Sequence, residues 1–263
     1  LSLLVDSMVR LRGGIAPNIA YTLALLGEVP RVMATVGEDF QEYRSFLDGI
    51  WVDTTLMKVI EDEFTASCFI NTDRDNSQLV SFYPGAMGKA DELSFHDLGD
   101  QPDYVVISPN SPEAMTQYPR ECRELGIPFL YDPSQQIPRM TGEELKDSLK
   151  GADALMVNDY EFGMIQKKTG LDEKQIKNNL RLMVVTLGEK GTRIYVEDQE
   201  FMIPIVNPDQ VVDPTGVGDA FRGGFLTGLA RSFPWDNCRS MGALAATYCL
   251  EGKGTQEHQF TRK

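Results

Sequence analysis

The sequence predicts an α/β fold: a doubly wound, mostly parallel sheet flanked by helices, with a small β lid. Short runs rich in β-branched residues alternate with amphipathic segments, and this alternation is typical of a parallel sheet covered by helices. One stretch breaks the alternation with two strand-like runs joined by a polar loop, which predicts a separate antiparallel hairpin.

Five short apolar runs are predicted as strands of the main sheet, and most of them follow closely after a helical segment. In the first such segment, residues 18–26, the side chains of Ile19, Leu23 and Leu26 share one helical face, and Gly27 supplies a stop signal. The five predicted strands are residues 31–36, 104–108, 128–131, 154–157 and 182–187.

Two hairpins and two long helices complete the predicted elements. The first hairpin pairs residues 65–71 with 78–83 across the polar loop Thr72-Asp73-Arg74-Asp75-Asn76. Because it interrupts the alternation, we expect this hairpin, around residues 65–83, to be a lid. A second hairpin, residues 193–196 and 200–203 joined across 197–199, is expected to add an antiparallel edge to the main sheet. Helices are predicted at 217–231 and 235–250.

Two positions conflict with this simple pattern. Pro119 lies inside the helical stretch 113–125 and predicts a kink or a split there. At residues 180–182 a helix runs into a strand with almost no connection, although such connections usually take roughly 2 to 6 residues. We therefore expect residues to be absent at that junction. No internal repeat is present, so we predict a single domain over residues 1–263.

Charge and composition exclude several classes of protein. The chain has 25 Lys and Arg residues against 39 Asp and Glu residues, a net charge of −14, so we expect no nucleic-acid partner. No apolar run approaches the ~18 residues of a membrane span, and the N-terminus lacks the regions of a signal peptide. We therefore expect no membrane association and a cytoplasmic location.

The cysteines agree with this location. They form no CxxC pair, and with only two histidines in the chain no zinc-ligand spacing can be assembled. We expect reduced, mostly buried thiols. The four residues are Cys68, Cys122, Cys238 and Cys249.

The densest chemical signal lies at residues 212–224. A strand is predicted to end near Val212 and a helix to begin after Gly216 and Gly218, so several backbone N–H groups would converge on one spot that suits an anion. Asp219 in the first turn also fits simple compensation of the helix dipole. Asp213 is not needed for capping. The spacing alone leaves anion binding and capping both open.

Three further segments carry candidate residues, each with a structural alternative. Asn158 and Glu161 fit a capping box, or a carboxylate that holds Mg²⁺ through water beside bound polyphosphate. The glycines of segment 186–191 form either a turn or a nucleotide contact. Those of segment 13–18 lead into a helix, where Asn18 is either a cap or a ligand contact. Residues 82–87 either close over a flat ligand or pack as a turn. Ligands of open α/β sheets collect at carboxyl strand ends, where we expect segments 158–161, 186–191 and 212–219 to lie.

These motifs, in this order, resemble those of the ribokinase-like (PfkB) family of sugar and nucleoside kinases, and the resemblance covers the whole chain. The landmarks are Gly13-Gly14 with Asn18, Val36-Gly37-Glu38-Asp39, the block from Asn158 to Glu161, and the block from Asp213 to Asp219. Within the family, four segments look most like the microbial adenosine or nucleoside kinase branch: Phe82-Tyr83-Pro84-Gly85-Ala86-Met87, Asp132-Pro133, Asp219-Ala220-Phe221-Arg222-Gly223-Gly224 and Gly254-Thr255-Gln256.

The resemblance implies transfer of the γ-phosphoryl group of ATP to the 5′-hydroxyl of a nucleoside, with adenosine as the expected substrate. The alternative within the family is a sugar kinase acting on ribose, fructose or a similar sugar. A rival from another class is a non-catalytic ligand-binding homologue, against which the intact segment 215–219 argues. ATP and Mg²⁺ are the implied cofactors, with K⁺ as a further candidate, and we expect a monomer or a homodimer.

The resemblance also implies a role for each candidate residue. Asp219 would accept the hydroxyl proton, and the amides of Gly216, Val217 and Gly218 would stabilise charge on the transferred group. Around the nucleotide, Asn158 and Glu161 would bind the phosphates and Mg²⁺, with Glu161 acting through water, and Arg222 would neutralise phosphate charge. The nucleotide cleft would be lined by Thr186, Gly188 and Gly191. The substrate ribose would be bound by Gly13, Gly14 and Asn18, and a monovalent cation by Asp213 and Thr215.

Three features depart from the family pattern. Family members begin with a strand that supplies an Asp to the substrate hydroxyls and part of the lid, and since this chain begins at Leu1 rather than Met we expect that segment to be missing. Val217 stands where Ala is usual, which should matter little because the backbone N–H makes the contact. The short junction at 180–182 would remove residues beside the nucleotide site.

Overall fold

The structure is a computed structural model, and it describes residues 5–72, 78–196 and 199–260. Backbone contacts divide these residues into two compact units. Unit 1 contains the residues up to Pro30, Phe46–Asp53 and those from Val206 onward, and unit 2 contains Arg31–Ser45 and Thr54–Ile205. The single domain over residues 1–263 stays a prediction.

Strands and helices alternate along most of the chain, as predicted. The strands are β1 (Ala34–Val36), β2 (Met57–Val59), β3 (Ser67–Thr72), β4 (Gln78–Tyr83), β5 (Val105–Ile107), β6 (Phe129–Tyr131), β7 (Ala154–Asn158), β8 (Leu182–Thr186), β9 (Thr192–Val196) and β10 (Gln199–Ile203). The helices are α1 (Ile15–Leu25), α2 (Gln41–Gly49), α3 (Pro112–Leu125), α4 (Gly142–Leu149), α5 (Asp159–Thr169), α6 (Glu173–Lys177), α7 (Val217–Ala230) and α8 (Trp235–Leu250).

Unit 2 is built on a six-stranded sheet with the strand order β10-β9-β8-β7-β6-β5. Strands β5 to β8 run parallel to one another, whereas β9 pairs antiparallel with both β8 and β10 at one edge. The mainly parallel α/β fold and the antiparallel edge hairpin are therefore confirmed. Met115 of α3, Phe129 of β6, Leu145 of α4 and Leu155 of β7 are fully buried in one apolar cluster, so helices and sheet share a core.

The first predicted strand differs from its prediction. Only Ala34–Val36 is extended as a strand, and it pairs in parallel with β2 in a separate two-stranded sheet rather than in the six-stranded one. The Val36 carbonyl accepts the N–H of Ile60 at 2.8 Å, which continues this pairing. The prediction was wrong because a partner strand further along the chain, which local propensity does not specify, takes the hydrogen bonds of β1.

The predicted hairpin is confirmed: β3 and β4 pair antiparallel from Ser67 opposite Tyr83 to Thr72 opposite Gln78. The residues of the polar loop from Asp73 onward, and residues 197–198 of the second hairpin, lie outside the described residues. The role of the first hairpin as a lid stays a prediction.

Pro119 does not split its helix, since α3 runs without interruption over Pro112–Leu125. A proline at position 119 cannot donate the helical hydrogen bond to the carbonyl of Met115. That buried carbonyl instead accepts a hydrogen bond from the Ser148 hydroxyl of α4 at 3.2 Å. The predicted split was wrong because a neighbouring helix supplies the missing donor.

The junction at residues 180–182 is also an ordinary connection. Helix α6 ends at Lys177 and β8 begins at Leu182, so residues 178–181 connect them, within the usual length. The Arg181 and Leu182 N–H groups donate to the Asp153 carbonyl at 3.0 and 3.1 Å. The expectation of absent residues was wrong in its basis, because the helix ends earlier than its sequence pattern indicates.

Unit 1 contains α1, α7 and α8, with α7 in contact with both other helices. Glycines on α7 allow this packing: a Cβ at Gly223 would lie 2.5 Å from the Thr22 Cβ of α1, and one at Gly224 would lie 2.5 Å from the Met241 carbonyl of α8. Cys122, Cys238 and Cys249 are buried unpaired thiols and Cys68 is exposed. Across the described residues, no helix is both long and apolar enough to cross a membrane.

The buried imidazole of His258 predicts a pH-dependent stability. Only 4% of His258 is exposed, and burial lowers its pKa from 6.5 to about 4. Between these values the unfolded chain binds a proton that the folded protein does not, so the free energy of unfolding decreases as the pH falls through this window. We expect the loss from this residue to be ~2 kcal/mol between pH 7.5 and pH 5, measured by urea unfolding.

The His258→Phe variant removes this titration. The aromatic rings of Tyr21 and Phe260 already contact the imidazole, and neither ring nitrogen has a hydrogen-bond partner among the described residues, so a phenyl ring fits the same surroundings. The matched control is His96→Gln, at an exposed histidine. Equal pH dependence in His258→Phe and the unchanged protein would contradict the prediction.

Candidate active site

The start of α7 forms the centre of the predicted anion site. Its N-cap, Gly216, has a φ of 80°, a left-handed conformation that favours glycine. A Cβ at this position would also lie 2.7 Å from the Thr255 methyl group. Within the described part of the chain no side chain caps α7, and the Val217 N–H makes only a long hydrogen bond of 3.5 Å to the Pro214 carbonyl. The N–H groups of the first turn, at Val217 and Gly218, can therefore face a bound anion.

Asp219 lies in the first turn of α7, and its carboxylate is held in place. Only 9% of the residue is exposed, and Oδ2 accepts a hydrogen bond from the Asn18 Nδ2 of α1 at 2.8 Å. The Arg222 Nη1 lies 3.8 Å from Oδ1. An acid that only compensated the helix dipole could stay exposed at the surface. The burial of Asp219 therefore indicates an additional role.

Arg222 is itself 8% exposed. A Cβ added to Gly218 would lie 2.8 Å from the Arg222 Nη1, which shows that the guanidinium extends back along the first turn of α7. A cation near a helix N-terminus is opposed by the helix dipole, and the Asp219 carboxylate offsets this cost. The position suits binding of negative charge at the helix start.

Asn18 is the fourth residue of α1, which begins at Ile15 with Gly14 as its N-cap. Its interpretation as a helix cap was therefore wrong: Asn18 lies within the helix, and its side chain connects α1 to α7. Gly14 has a φ of 102°, which only glycine adopts readily. A Cβ at Gly13 would approach the Thr255 hydroxyl at 4.0 Å, so the glycine pair lies beside the C-terminal segment.

Gln256 is the residue of this group that the sequence reasoning did not select. It is 2% exposed, and its Nε2 donates to the Asn18 Oδ1 at 2.8 Å. The segment Gly254-Thr255-Gln256 contributes to the family resemblance, which implies no role for Gln256 itself. Nothing in the local pattern around Gln256 indicates that its partner lies 238 positions away.

Asp213 fixes the segment that precedes α7. Its Oδ1 accepts the Thr215 N–H at 2.9 Å and its Oδ2 accepts the Gly254 N–H at 3.0 Å. Burial raises the pKa of Asp213, but the hydrogen bonds from Thr215 and Gly254 outweigh it and lower the pKa overall. The strand predicted to end near Val212 was wrong, because described residues 204–216 contain no strand and Val212 donates to the Leu250 carbonyl instead.

A second group of predicted residues lies in unit 2, at the carboxyl ends of two parallel strands. Asn158 ends β7 directly opposite Thr186 at the end of β8. The capping box is present: the Asn158 Oδ1 accepts the Glu161 N–H at 2.7 Å, and the Glu161 Oε2 accepts the Asn158 N–H at 2.8 Å. The structural interpretation of this pair is therefore confirmed.

The other oxygen of Glu161 makes a contact that the sequence did not predict. Its Oε1 accepts a hydrogen bond from the Ser134 hydroxyl at 3.1 Å. Ser134 follows the motif Asp132-Pro133 and has a φ of 34°, a strained value for a residue with a Cβ. Strain of this kind clusters at functional sites, so Ser134 joins Asn158 and Glu161 as a candidate.

The two glycines after β8 differ in what requires them. A Cβ at Gly191 would collide with the Ile203 carbonyl of β10, so this glycine serves the close approach of two backbones. Gly188 is exposed with a φ of 59°, and no described atom lies within 4 Å of the position its Cβ would take. Of the pair, Gly188 is the one with open space for a ligand.

Residues 82–87 divide between the two interpretations given for them. Phe82 and Tyr83 are 48% and 39% exposed, whereas Ala86 is fully buried, so the segment starts at the surface and ends packed. Tyr83 also lines a cavity of about 460 Å³ in unit 2, together with Asp39, Phe64, Ser67 and Phe69. The aromatic side chains of this hairpin therefore border open space.

The comparisons with known proteins agree with these features. A nucleoside kinase of Methanocaldococcus jannaschii is 28% identical over 257 residues, covering 97% of this chain and 84% of that protein. The structure of Burkholderia thailandensis nucleoside kinase in complex with inosine superposes with a TM-score of 0.94 at 36% identity, covering 100% of this chain and 88% of that one. Fructokinase-2 of Zea mays is 28% identical over 246 residues, covering 85% of this chain and 72% of that protein. Residues 1–262 match the pfkB family of carbohydrate kinases, and the chain belongs to this family.

Proposed function

We propose that the protein transfers the γ-phosphoryl group of ATP to the 5′-hydroxyl of a nucleoside, with adenosine or another purine nucleoside as the substrate. As a member of a kinase family, it is a phosphotransferase that acts on a hydroxyl group. The observation that carries the proposal is the buried Asp219 carboxylate beside the glycine-bounded start of α7. The choice of a nucleoside as the substrate is supported by the Burkholderia thailandensis relative, whose structure was solved in complex with inosine and which is 36% identical over the whole chain.

Asp219 is the proposed general base. Its carboxylate is positioned by Asn18 at 2.8 Å and is thereby ready to accept the proton of a substrate hydroxyl. The N–H groups of Gly216, Val217 and Gly218 would stabilise negative charge on the transferred group. Arg222, 3.8 Å from the Asp219 carboxylate, would add positive charge at the same place.

ATP with Mg²⁺ supplies the phosphoryl group when bound. In the described residues no three His, Cys, Asp or Glu side chains cluster to hold a metal ion, which fits a cation carried mainly by phosphate oxygens. Glu161 accepts one hydrogen bond at each oxygen, so its remaining lone pairs can bind water of a hydrated Mg²⁺. Asn158, Thr186, Gly188 and Gly191 are the proposed nucleotide-binding residues.

Three further parts of the proposal depend on the same family membership. Gly13, Gly14 and Asn18 would bind the substrate ribose, where close backbone approach requires the glycines. Asp213 and Thr215 are the proposed ligands of a monovalent cation such as K⁺. A cytoplasmic location, a monomeric or homodimeric state and the lack of a nucleic-acid partner stay predictions.

A substrate panel tests the function directly. We expect ADP release from ATP and Mg²⁺ with adenosine or inosine, and little with ribose, fructose or fructose 6-phosphate. Turnover with a sugar alone would replace the nucleoside proposal by the sugar kinase alternative. If no acceptor in the panel gives ADP release, the result would contradict the kinase proposal and favour a non-catalytic binding protein.

The Asp219→Asn variant tests the general base. Loss of such a base costs ~10²- to 10⁴-fold in rate, so we expect kcat to fall by this factor while ATP binding by calorimetry stays unchanged. The matched control is Asp236→Asn, which removes an exposed acid from the first turn of α8. Turnover of Asp219→Asn close to that of the control would remove Asp219 from the mechanism.

The Glu161→Gln variant separates magnesium binding from helix capping. We expect it to need a higher Mg²⁺ concentration for half-maximal activity, because it removes the carboxylate charge beside the proposed phosphate site. The matched control is Glu144→Gln, since Glu144 forms the same capping box with Thr141 in α4. If both variants lose similar stability and keep the same Mg²⁺ titration, Glu161 serves only as a cap.

A further inference from the structure

We propose that Gln256 is a positioning residue for Asp219 and acts on it through Asn18. The proposal rests on the kinase function above and adds to it a residue outside the proposed catalytic and binding set. Gln256 Nε2 donates to Asn18 Oδ1 at 2.8 Å, and Asn18 Nδ2 donates to Asp219 Oδ2 at 2.8 Å. We call these three residues the amide relay.

The direction of the amide relay follows from the charge at one end. An ionised carboxylate only accepts hydrogen bonds, so Asn18 must present its NH₂ group to Asp219. The Asn18 oxygen then faces Gln256, which must present its own NH₂ group in turn. The carboxylate therefore sets the orientation of both amides, and Gln256 holds the Asn18 amide in the orientation that donates to the base.

Burial makes this orientation consequential. Asn18 is 5% exposed, Gln256 2% and Asp219 9%, so water competes little for these hydrogen bonds, and an unmade bond is costly. Without the donor at position 256, the Asn18 oxygen loses its hydrogen-bond partner, and Asp219 alone fixes the orientation of the Asn18 amide. The hydrogen bond that Asn18 donates to the carboxylate is then held less firmly.

Three titratable side chains of the described residues in unit 1, near the amide relay, have pKa values outside the range from pH 5 to pH 9. Burial and the nearby carboxylates of Asp219 and Asp213 raise the pKa of Cys249 in α8 to about 12. Burial and Glu257 raise the pKa of Tyr21 in α1 to about 12, and burial lowers that of His258 to about 4. The charged neighbours are Arg222 in α7, at 3.8 Å, and Asp213 in the segment before it.

The test is the pH profile of kcat for nucleoside phosphorylation in the Gln256→Met variant, which keeps the side-chain length and removes the N–H donor. We expect the acid limb to move upward by up to about one pH unit, because complete loss of the hydrogen bond from Asn18 to the charged Asp219 carboxylate would shift its ionisation ~10-fold and the variant weakens that bond. The KM for ATP should not change. The matched control, Thr227→Val, removes a buried hydroxyl that donates to the Gly223 carbonyl within α7 and should lower stability without moving the limb.

A second measurement does not need turnover. The pH titration of the Asp219 carboxyl carbon, followed by ¹³C NMR and assigned by its loss in Asp219→Asn, should move in the same direction in Gln256→Met. If the unchanged protein phosphorylates no acceptor, the proposed function fails, and this titration still decides on the amide relay. Should Gln256→Met not fold, Gln256→Leu carries the same measurements. Profiles and titrations identical to those of Thr227→Val would overturn the proposal.

Discussion

The close approach of α1 to α7 is the constraint on which the candidate site in unit 1 depends. Any side chain at Gly223 would overlap Thr22, so only glycine permits this separation. At this separation Asn18 reaches the carboxylate of Asp219, which offsets the penalty of several kcal/mol for burying an uncompensated charge. The C-terminal segment completes the arrangement, because Gly254 contacts Asp213 and Gln256 contacts Asn18.

In unit 2 the structural role of Asn158 and Glu161 is compatible with the binding role proposed for them. The capping box of Asn158 and Glu161 satisfies backbone groups at the start of α5, and in doing so it fixes the Glu161 side chain in one rotamer. A carboxylate already held by Asn158 and Ser134 loses little side-chain entropy when it binds something more. The strained φ of Ser134 is consistent with a segment held for such a purpose rather than for its own stability.

The sequence predicts most local elements here and few distant contacts. The strands around Leu155 and Val184 are found within one residue of their predicted ends at 154–157 and 182–187, because β-branched and apolar runs between turn residues are a local signal. The capping box at Asn158 is equally local. Asn18 was misplaced as a cap because Pro17 and the glycines before it obscure where α1 begins. The partners of β1, of the Met115 carbonyl and of Asn18 are set by tertiary packing, so no spacing in the sequence indicates them.

Because the Ser148 hydroxyl donates to the Met115 carbonyl, the effect of a substitution at position 148 depends on which residue stands at position 119. With Pro119 in α3, the hydroxyl at position 148 satisfies a buried acceptor; with a residue that carries an N–H at position 119, that acceptor would have a partner within its own helix. Replacement of the serine therefore carries a penalty in one background that it lacks in the other. Positions 119 and 148 are expected to diverge as a pair, with the change at 119 preceding the change at 148.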